Sequence, residues 1–255
     1  MKLLTEIRSL FLQAQLSFHS FSQDLIIVTG SDSSHFKSLL QLLESLKIHE
    51  KNTKRIVYDL GLTVEENEIL KNKFPEFDVR EFDYSKYPSY FNIKISAGEY
   101  AWKPVIINDV LNEFKTSVCW LDGGNKVIKP LNSIRKLIEL YGFYSPFSKG
   151  IIADWTHPKT LKCLGLLNDK ELLKKRNLNG ACVCADYNNL NARNLIKNWS
   201  DCAKNKDCIA PEGSSRENHR QDQAVLSVLA YRDIPNIAKK MIFKKLGFKT
   251  HQDID

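Results

Sequence analysis

From residue 25 onward, short apolar runs alternate with stretches of helical periodicity, and the early runs end at glycine or aspartate. Leu25-Ile-Ile-Val28 reads as a fully apolar strand, turned by Thr29-Gly30-Ser31-Asp32. Ser33 or Ser34 is expected to cap the helix that follows, with Phe36, Leu39, Leu40, Leu43 and Leu46 on one face. Arg55-Ile-Val-Tyr58 is a second strand closed by Asp59 and Gly61, and Glu65-Glu66 opens a second helix where the dipole favours acids. Further strands are expected at Val79 to Phe82, Ser117 to Leu121, Gly150 to Ala153 and Ala181 to Ala185. Helices are expected from Pro104, over about Ala192 to Trp199, and after Asp222. Such alternation predicts one α/β, Rossmann-like domain over 1–255, with a mostly parallel central sheet flanked by helices.

The apolar fraction, 43%, is too high for a disordered chain, and no run reaches the 18 or so apolar residues of a membrane span. Met1-Lys2-Leu3-Leu4 begins like a signal peptide, but Glu6 and Arg8 interrupt it. Leu3, Leu4, Ile7, Leu10, Phe11 and Ala14 recur instead at helical spacing, predicting an amphipathic helix over 1–22 that docks on the core or on a membrane surface. A cytoplasmic protein is expected, and the six cysteines are read as reduced, structural thiols.

Thirty-seven Lys and Arg against thirty Asp and Glu give a net charge of +7, which favours anionic partners. Lys239, Lys240, Lys244, Lys245 and Lys249 crowd a basic segment over 232–255, a solvated face or a peripheral contact for anionic lipid. Nucleic-acid binding is disfavoured, because no reading helix or zinc finger is present. The chain also lacks the phosphate-loop signature, Gly-x-Gly-x-x-Gly and the Gly-x-Ser-x-Gly elbow, which weakens ATPase, dinucleotide and esterase readings.

Ligands of open α/β sheets bind beyond the carboxyl ends of strands, where this chain places Thr29 to Asp32, Asp59 to Gly61 and Asp122 to Asn125. Asp122-Gly123-Gly124 sets an acidic oxygen beside backbone that a phosphate can approach closely. Asp222 and Gln223 fall on the first turn of an apolar helix, where the dipole supports a carboxylate. His157 and His219 read as exposed or capping histidines, and the tyrosines at 84, 87, 90 and 100 as stacking surfaces for a base or sugar.

Taken in order, Ile26 to Phe36, Val57-Tyr-Asp-Leu-Gly-Leu62, Tyr100-Ala-Trp-Lys-Pro104, Trp120-Leu-Asp-Gly-Gly124, Cys202 to Pro211 and Arg220-Gln-Asp-Gln-Ala-Val-Leu226 resemble the nucleotide-diphosphosugar glycosyltransferases of GT-A type, over roughly residues 24 to 230. The resemblance implies transfer of a sugar, most simply from a UDP-sugar, to a glycan or glycolipid hydroxyl. It implies donor contacts at Thr29, Ser31, Asp32, Asp59, Lys103, Asp122, Gly123, Gly124 and Gln223, and a catalytic Asp222. It also implies a Mn²⁺ or Mg²⁺ ion at Asp122 and His251. Gly124 stands where the family carries the second acid of its Asp-x-Asp motif, so a catalytically inactive interaction module is the alternative.

Overall fold

The innermost strand, β1 (Leu25–Asp32), pairs with neighbours on both edges, and seven of its eight residues are buried, as an unbroken apolar run requires. The computed structural model describes residues 24–234, 236–237 and 246–255; the expected 1–22 helix and Lys239, Lys240, Lys244 and Lys245 lie outside them. After β1 come α1 (Phe36–His49), β2 (Lys54–Gly61), α2 (Val64–Lys73) and β3 (Asp78–Glu81). Three short 3-10 turns lead to α3 (Trp102–Phe114), β4 (Ser117–Leu121), β5 (Lys126–Val127), α4 (Asn132–Tyr141), β6 (Phe143–Tyr144) and β7 (Phe147–Ile151). The remainder is α5 (Ile152–Trp155), α6 (Pro158–Cys163), α7 (Lys170–Leu173), β8 (Arg176–Leu178), β9 (Cys182–Ala185), α8 (Leu190–Ala203), α9 (Lys206–Ile209), α10 (Gln221–Asp233) and β10 (Phe248–Lys249).

The central sheet runs β3-β2-β1-β4-β9-β6, parallel from β3 to β4, with β9 antiparallel to both β4 and β6. Two-stranded ribbons, β5 with β10 and β7 with β8, stand apart from it. This is the expected α/β domain with a mostly parallel sheet. Glu66 does more than oppose a dipole: it closes a capping box with Thr63, accepting from Thr63 N at 2.9 Å while Thr63 Oγ1 accepts from Glu66 N at 3.2 Å.

Several expectations are corrected. Neither Ser33 nor Ser34 caps α1; Asp32 caps the 3-10 turn before it, accepting from Ser34 N. Leu42 rather than Leu40 is fully buried on α1. The strand expected at Gly150 to Ala153 is the end of β7 followed by α5, because Asp154 accepts from Ile151 N and starts a helix there. Of the four tyrosines of the 84–100 segment, Tyr100 lines the cleft described below, while Tyr84, Tyr87 and Tyr90 pack on the protein itself. Tyr87 stacks on Phe82 and Phe91, Tyr84 donates to Leu60 O and Tyr90 to Ala203 O.

The cysteines divide into two kinds. Cys119, Cys182 and Cys184 are buried thiols on one face of β4 and β9, with Cys119 Sγ 3.3 Å from Cys184 Sγ. Cys202 and Cys208 are joined in a disulfide between the end of α8 and α9, which corrects the all-reduced reading. Among the described residues, no helix is long and apolar enough to cross a membrane.

Candidate active site

The parallel strands β1, β2 and β4 all end at one cleft of about 390 Å³. Gly30, Ser31 and Asp32 form its wall at the end of β1. A Cβ at Gly30 would lie 3.1 Å from Tyr58 O, so a side chain there would need its β2 neighbours to give by a few tenths of an ångström.

Asp122 follows the last residue of β4. Its amide donates to Ala181 O at 2.9 Å, and its carbonyl accepts from Asn125 N at 2.9 Å, which closes the turn through Gly123 and Gly124. Trp120 Nε1 donates to Asp122 Oδ1 at 2.6 Å. Lys103, on the first turn of α3, places Nζ 3.0 Å from Asp122 Oδ1 and 3.0 Å from Asp222 Oδ2. Asp222 begins α10, as its place in the sequence predicted. Lys103 and Asp222 are buried, at 3% and 5% exposed, so the bridge lies in a low-dielectric setting.

Burial alone would lower the Lys103 pKa, but the two carboxylates outweigh it and hold the ammonium charged well above its ordinary range. Burial raises the Asp222 carboxyl, with Asp122 adding to the rise and Lys103 opposing it. Asp222 Oδ2 touches Lys103 as an ion pair but has no well-aligned hydrogen-bond donor, which leaves it an acceptor with spare capacity. Gly180 makes the room, since a Cβ there would lie 3.0 Å from Asp222 Oδ2.

The segment 246–255 closes another side. Gln252 N donates to Gly124 O at 2.7 Å, and Gln41 Nε2 donates to Gln252 O at 2.8 Å. Asp255 caps α1, accepting from Lys37 N, Ser38 N and Ser38 Oγ. His251 and Asp253 thereby line the cleft. A Cβ on Gly124 would fall 2.1 Å from Asp253 Oδ1. The space beside Gly124 is thus filled by a carboxylate 129 residues later in the chain.

A run of left-handed backbone, Ser96 to Tyr100 with φ between 48° and 61°, leads into α3. Gly98 is obligatory within it, because a Cβ would meet Phe91 O at 2.2 Å. The other four residues each carry about 1 kcal/mol of strain or more, and Trp102 Nε1 donating to Ala97 O helps hold them. This turn delivers Tyr100 to the cleft and sets the start of α3, where Lys103 lies.

Of the residues singled out from sequence, Ser31, Asp32, Lys103, Asp122, Gly123, Gly124, Asp222, Gln223 and His251 line one cleft. Thr29 and Asp59 do not. Thr29 is 1% exposed within β1. Asp59 is spent on the turn after β2, accepting from Gly61 N, Leu62 N and Asn67 Nδ2. His157 caps α6 as expected. His219 is wholly buried, and desolvation lowers its pKa to about 4. Asp253 and Arg216 carry no local sequence signal.

Asp122, Asp253 and His251 supply carboxylate oxygens and an imidazole nitrogen, a donor set suited to Mn²⁺ or Mg²⁺. Among the described residues, the three ligand atoms already within 4.8 Å of one another are the buried thiols, so the oxygen and nitrogen donors would have to close around an ion.

A family described as "Protein of unknown function (DUF1647)" matches residues 1–108. No curated protein matches the chain in sequence. Solved structures match it in fold. The galactosyltransferase LgtC, in complex with donor and acceptor sugar analogs, aligns over 89% of this chain and 86% of its own, with TM-score 0.53 and 13% identity. Core-mannan synthase A from Aspergillus fumigatus, in a Mn/GDP form, aligns over 85% and 74%, with TM-score 0.53 and 9% identity. The bifunctional glycosyltransferase WbbM aligns over 84% of this chain with TM-score 0.52 and 12% identity, and the chain spans 39% of WbbM. The likeness is one of fold: this chain has the α/β architecture of GT-A glycosyltransferases.

Proposed function

We propose that the protein is a glycosyltransferase that moves a sugar from a nucleotide-diphosphate donor, a UDP-sugar in the simplest case, to a hydroxyl of a glycan or glycolipid. The observation that carries this reading is the Asp122–Lys103–Asp222 bridge, buried at the carboxyl ends of parallel strands in a cleft of donor size. Gly30, Ser31 and Asp32 would receive the nucleoside, and Gly123 and Gly124 would let the diphosphate approach the backbone. A divalent cation held by Asp122, Asp253 and His251 would stabilise charge on the departing diphosphate.

In an inverting reaction, the acceptor oxygen bonds to the anomeric carbon as the bond from that carbon to the diphosphate oxygen breaks. The nucleoside diphosphate leaves, and the acceptor proton passes to Asp222. In a retaining reaction Asp222 would orient the donor sugar instead. Lys103 serves either course as a positioning residue. Its charge is shared by two carboxylates, so its task is to fix their separation and keep Asp222 ionised.

Thermal-shift measurements with UDP, GDP, CMP and dTDP, each with Mn²⁺, Mg²⁺ or EDTA, test the reading. Ligand at about 100 times its Kd stabilises the fold by roughly 2.7 kcal/mol. Stabilisation by one nucleotide that EDTA abolishes, with transfer lost in Asp122→Ala and Asp222→Ala, is the expected outcome. No stabilisation by any of the four would overturn it. The exchange of the motif's second acid for Gly124 favours one other reading, a nucleotide-binding fold without turnover. Nucleotide stabilisation with no transfer across a broad acceptor panel would select it.

A further inference from the structure

Basic residues in this chain are often spent on carboxylates: Arg80 on Asp78 and Glu113, Arg135 on Glu50, Arg232 on Asp233, Lys103 on its two aspartates. Arg216 and Arg220 differ. Both line the cleft, and among the described residues neither has a carboxylate within ion-pair distance. Each guanidinium rests against an aromatic ring instead. The Arg220 guanidinium carbon lies 4.2 Å from the Trp155 ring centroid, and that of Arg216 lies 5.3 Å from the Tyr100 ring. Arg216 spends one donor, Nη1, on the Tyr100 hydroxyl at 2.9 Å. A ring behind a guanidinium fixes its plane and leaves the N–H fork for an oxyanion at reduced entropic cost.

The loop that carries them is built to hold position. His219 N donates to Ser215 O at 2.8 Å, and Arg220 N to Trp155 O at 3.0 Å. The imidazole of His219, fully buried between the two arginines in sequence, accepts at Nδ1 from His157 N at 3.2 Å and donates from Nε2 to Ile209 O at 2.8 Å. Nearby carboxylates are engaged elsewhere: Glu212 with Lys159 at 3.2 Å, and Glu99 with Gln221 Nε2 at 3.2 Å.

We infer that Arg216 and Arg220 bind an oxyanion on the acceptor, so that the acceptor is an acidic sugar bearing a carboxylate, sulfate or phosphate monoester. The inference rests on the transferase reading and deepens it. Arg220 precedes Asp222 by two residues, so a group held by the arginines presents its hydroxyl on the Asp222 side of the cleft. The Asp122–Lys103–Asp222 bridge carries a net negative charge, and Asp32 and Asp253 line the same cleft, so an acidic acceptor would be repelled unless the two unspent cations met its oxyanion directly.

The test is calorimetric titration of wild type, with its stabilising nucleotide present, by D-glucose, D-glucuronate, glucose 6-sulfate and glucose 6-phosphate at constant ionic strength. The same series is run on Arg216→Gln, whose side chain is exposed, and on Arg216→Gln/Arg220→Gln. At least one anionic sugar should bind wild type roughly tenfold or more tightly than D-glucose. The double variant should lose that preference and keep its nucleotide thermal shift. Comparison of carboxylate, sulfate and phosphate identifies the anion. Three results would overturn the inference: no anionic sugar binding more tightly than D-glucose, a preference unchanged in the double variant, or a nucleotide shift that falls with the same substitutions, which would assign the arginines to the donor. Wild type that binds no nucleotide overturns the transferase reading instead.

Discussion

The Asp253 carboxylate occupies the space that a side chain at Gly124 would need, with Oδ1 2.1 Å from where the Cβ would stand. A glycine and an aspartate 129 positions apart are therefore packed as one unit, and neither can carry a larger side chain without moving the other.

Gly124→Ala should displace that carboxylate at little cost to stability, because Asp253 is exposed and its side chain can turn aside. A change in unfolding free energy within about 1 kcal/mol is expected, while nucleotide stabilisation in Mn²⁺ drops. Asp253→Ala should produce the same drop, and the double variant no more than either single change. Additive losses would show that the two positions act separately.

Asp255→Ala removes the cap of α1 and should cost about 1 kcal/mol in urea unfolding. It should also speed amide hydrogen exchange over 250–255, since the cap is one of the anchors of that segment. Unchanged exchange would mean that the β5–β10 ribbon and the Gln252 contacts to Gly124 and Gln41 hold the segment without the cap.

Lys103→Met strips the buried Asp222 carboxylate of its counter-ion and leaves it facing Asp122, whose side chain is 35% exposed. A loss of about 3–5 kcal/mol is expected, read from the urea midpoint. Adding Asp222→Asn should recover part of it by removing one of the stranded charges, and failure to recover any would exclude electrostatic strain as the cause.

His219 predicts the acid response. Its folded pKa, lowered to about 4 by desolvation, is below its unfolded value of about 6.5. Between these limits the unfolded chain binds the proton more readily, so stability falls as pH falls through that window, by about 3 kcal/mol at full extent. Urea midpoints from pH 7 to 4 measure the slope, and His219→Gln should flatten it. An equal slope in the variant would assign the effect to other groups.

Ellman titration of the native chain should count one thiol, Cys163, with Cys119, Cys182 and Cys184 reacting only after unfolding. Cys202→Ser/Cys208→Ser should cost about 2 kcal/mol, the contribution of closing so short a loop in the unfolded chain.

What the sequence by itself determined lies in its local patterns. Apolar runs such as Leu25 to Val28 can only be buried strands, turns such as Asp122-Gly-Gly-Asn125 can only end them, and polar residues opening an apolar helix placed Asp222 on a first turn. Those patterns were enough for the parallel part of the sheet and for the cleft residues at strand ends and helix starts, such as Ser31, Asp32, Asp122 and Asp222, because strand ends and helix starts are properties of neighbouring residues. What only the tertiary structure decided depends on residues far apart in the chain. Lys103 reads as free to meet a phosphate until Asp122 and Asp222 close on it from β4 and α10. Asp59 reads as a ligand until Gly61, Leu62 and Asn67 fill its lone pairs. The Cys202–Cys208 bond, the carboxylate of Asp253 beside Gly124, and the two arginines against Trp155 and Tyr100 likewise arise only when folding brings separate segments together, and periodicity carries no record of those distances.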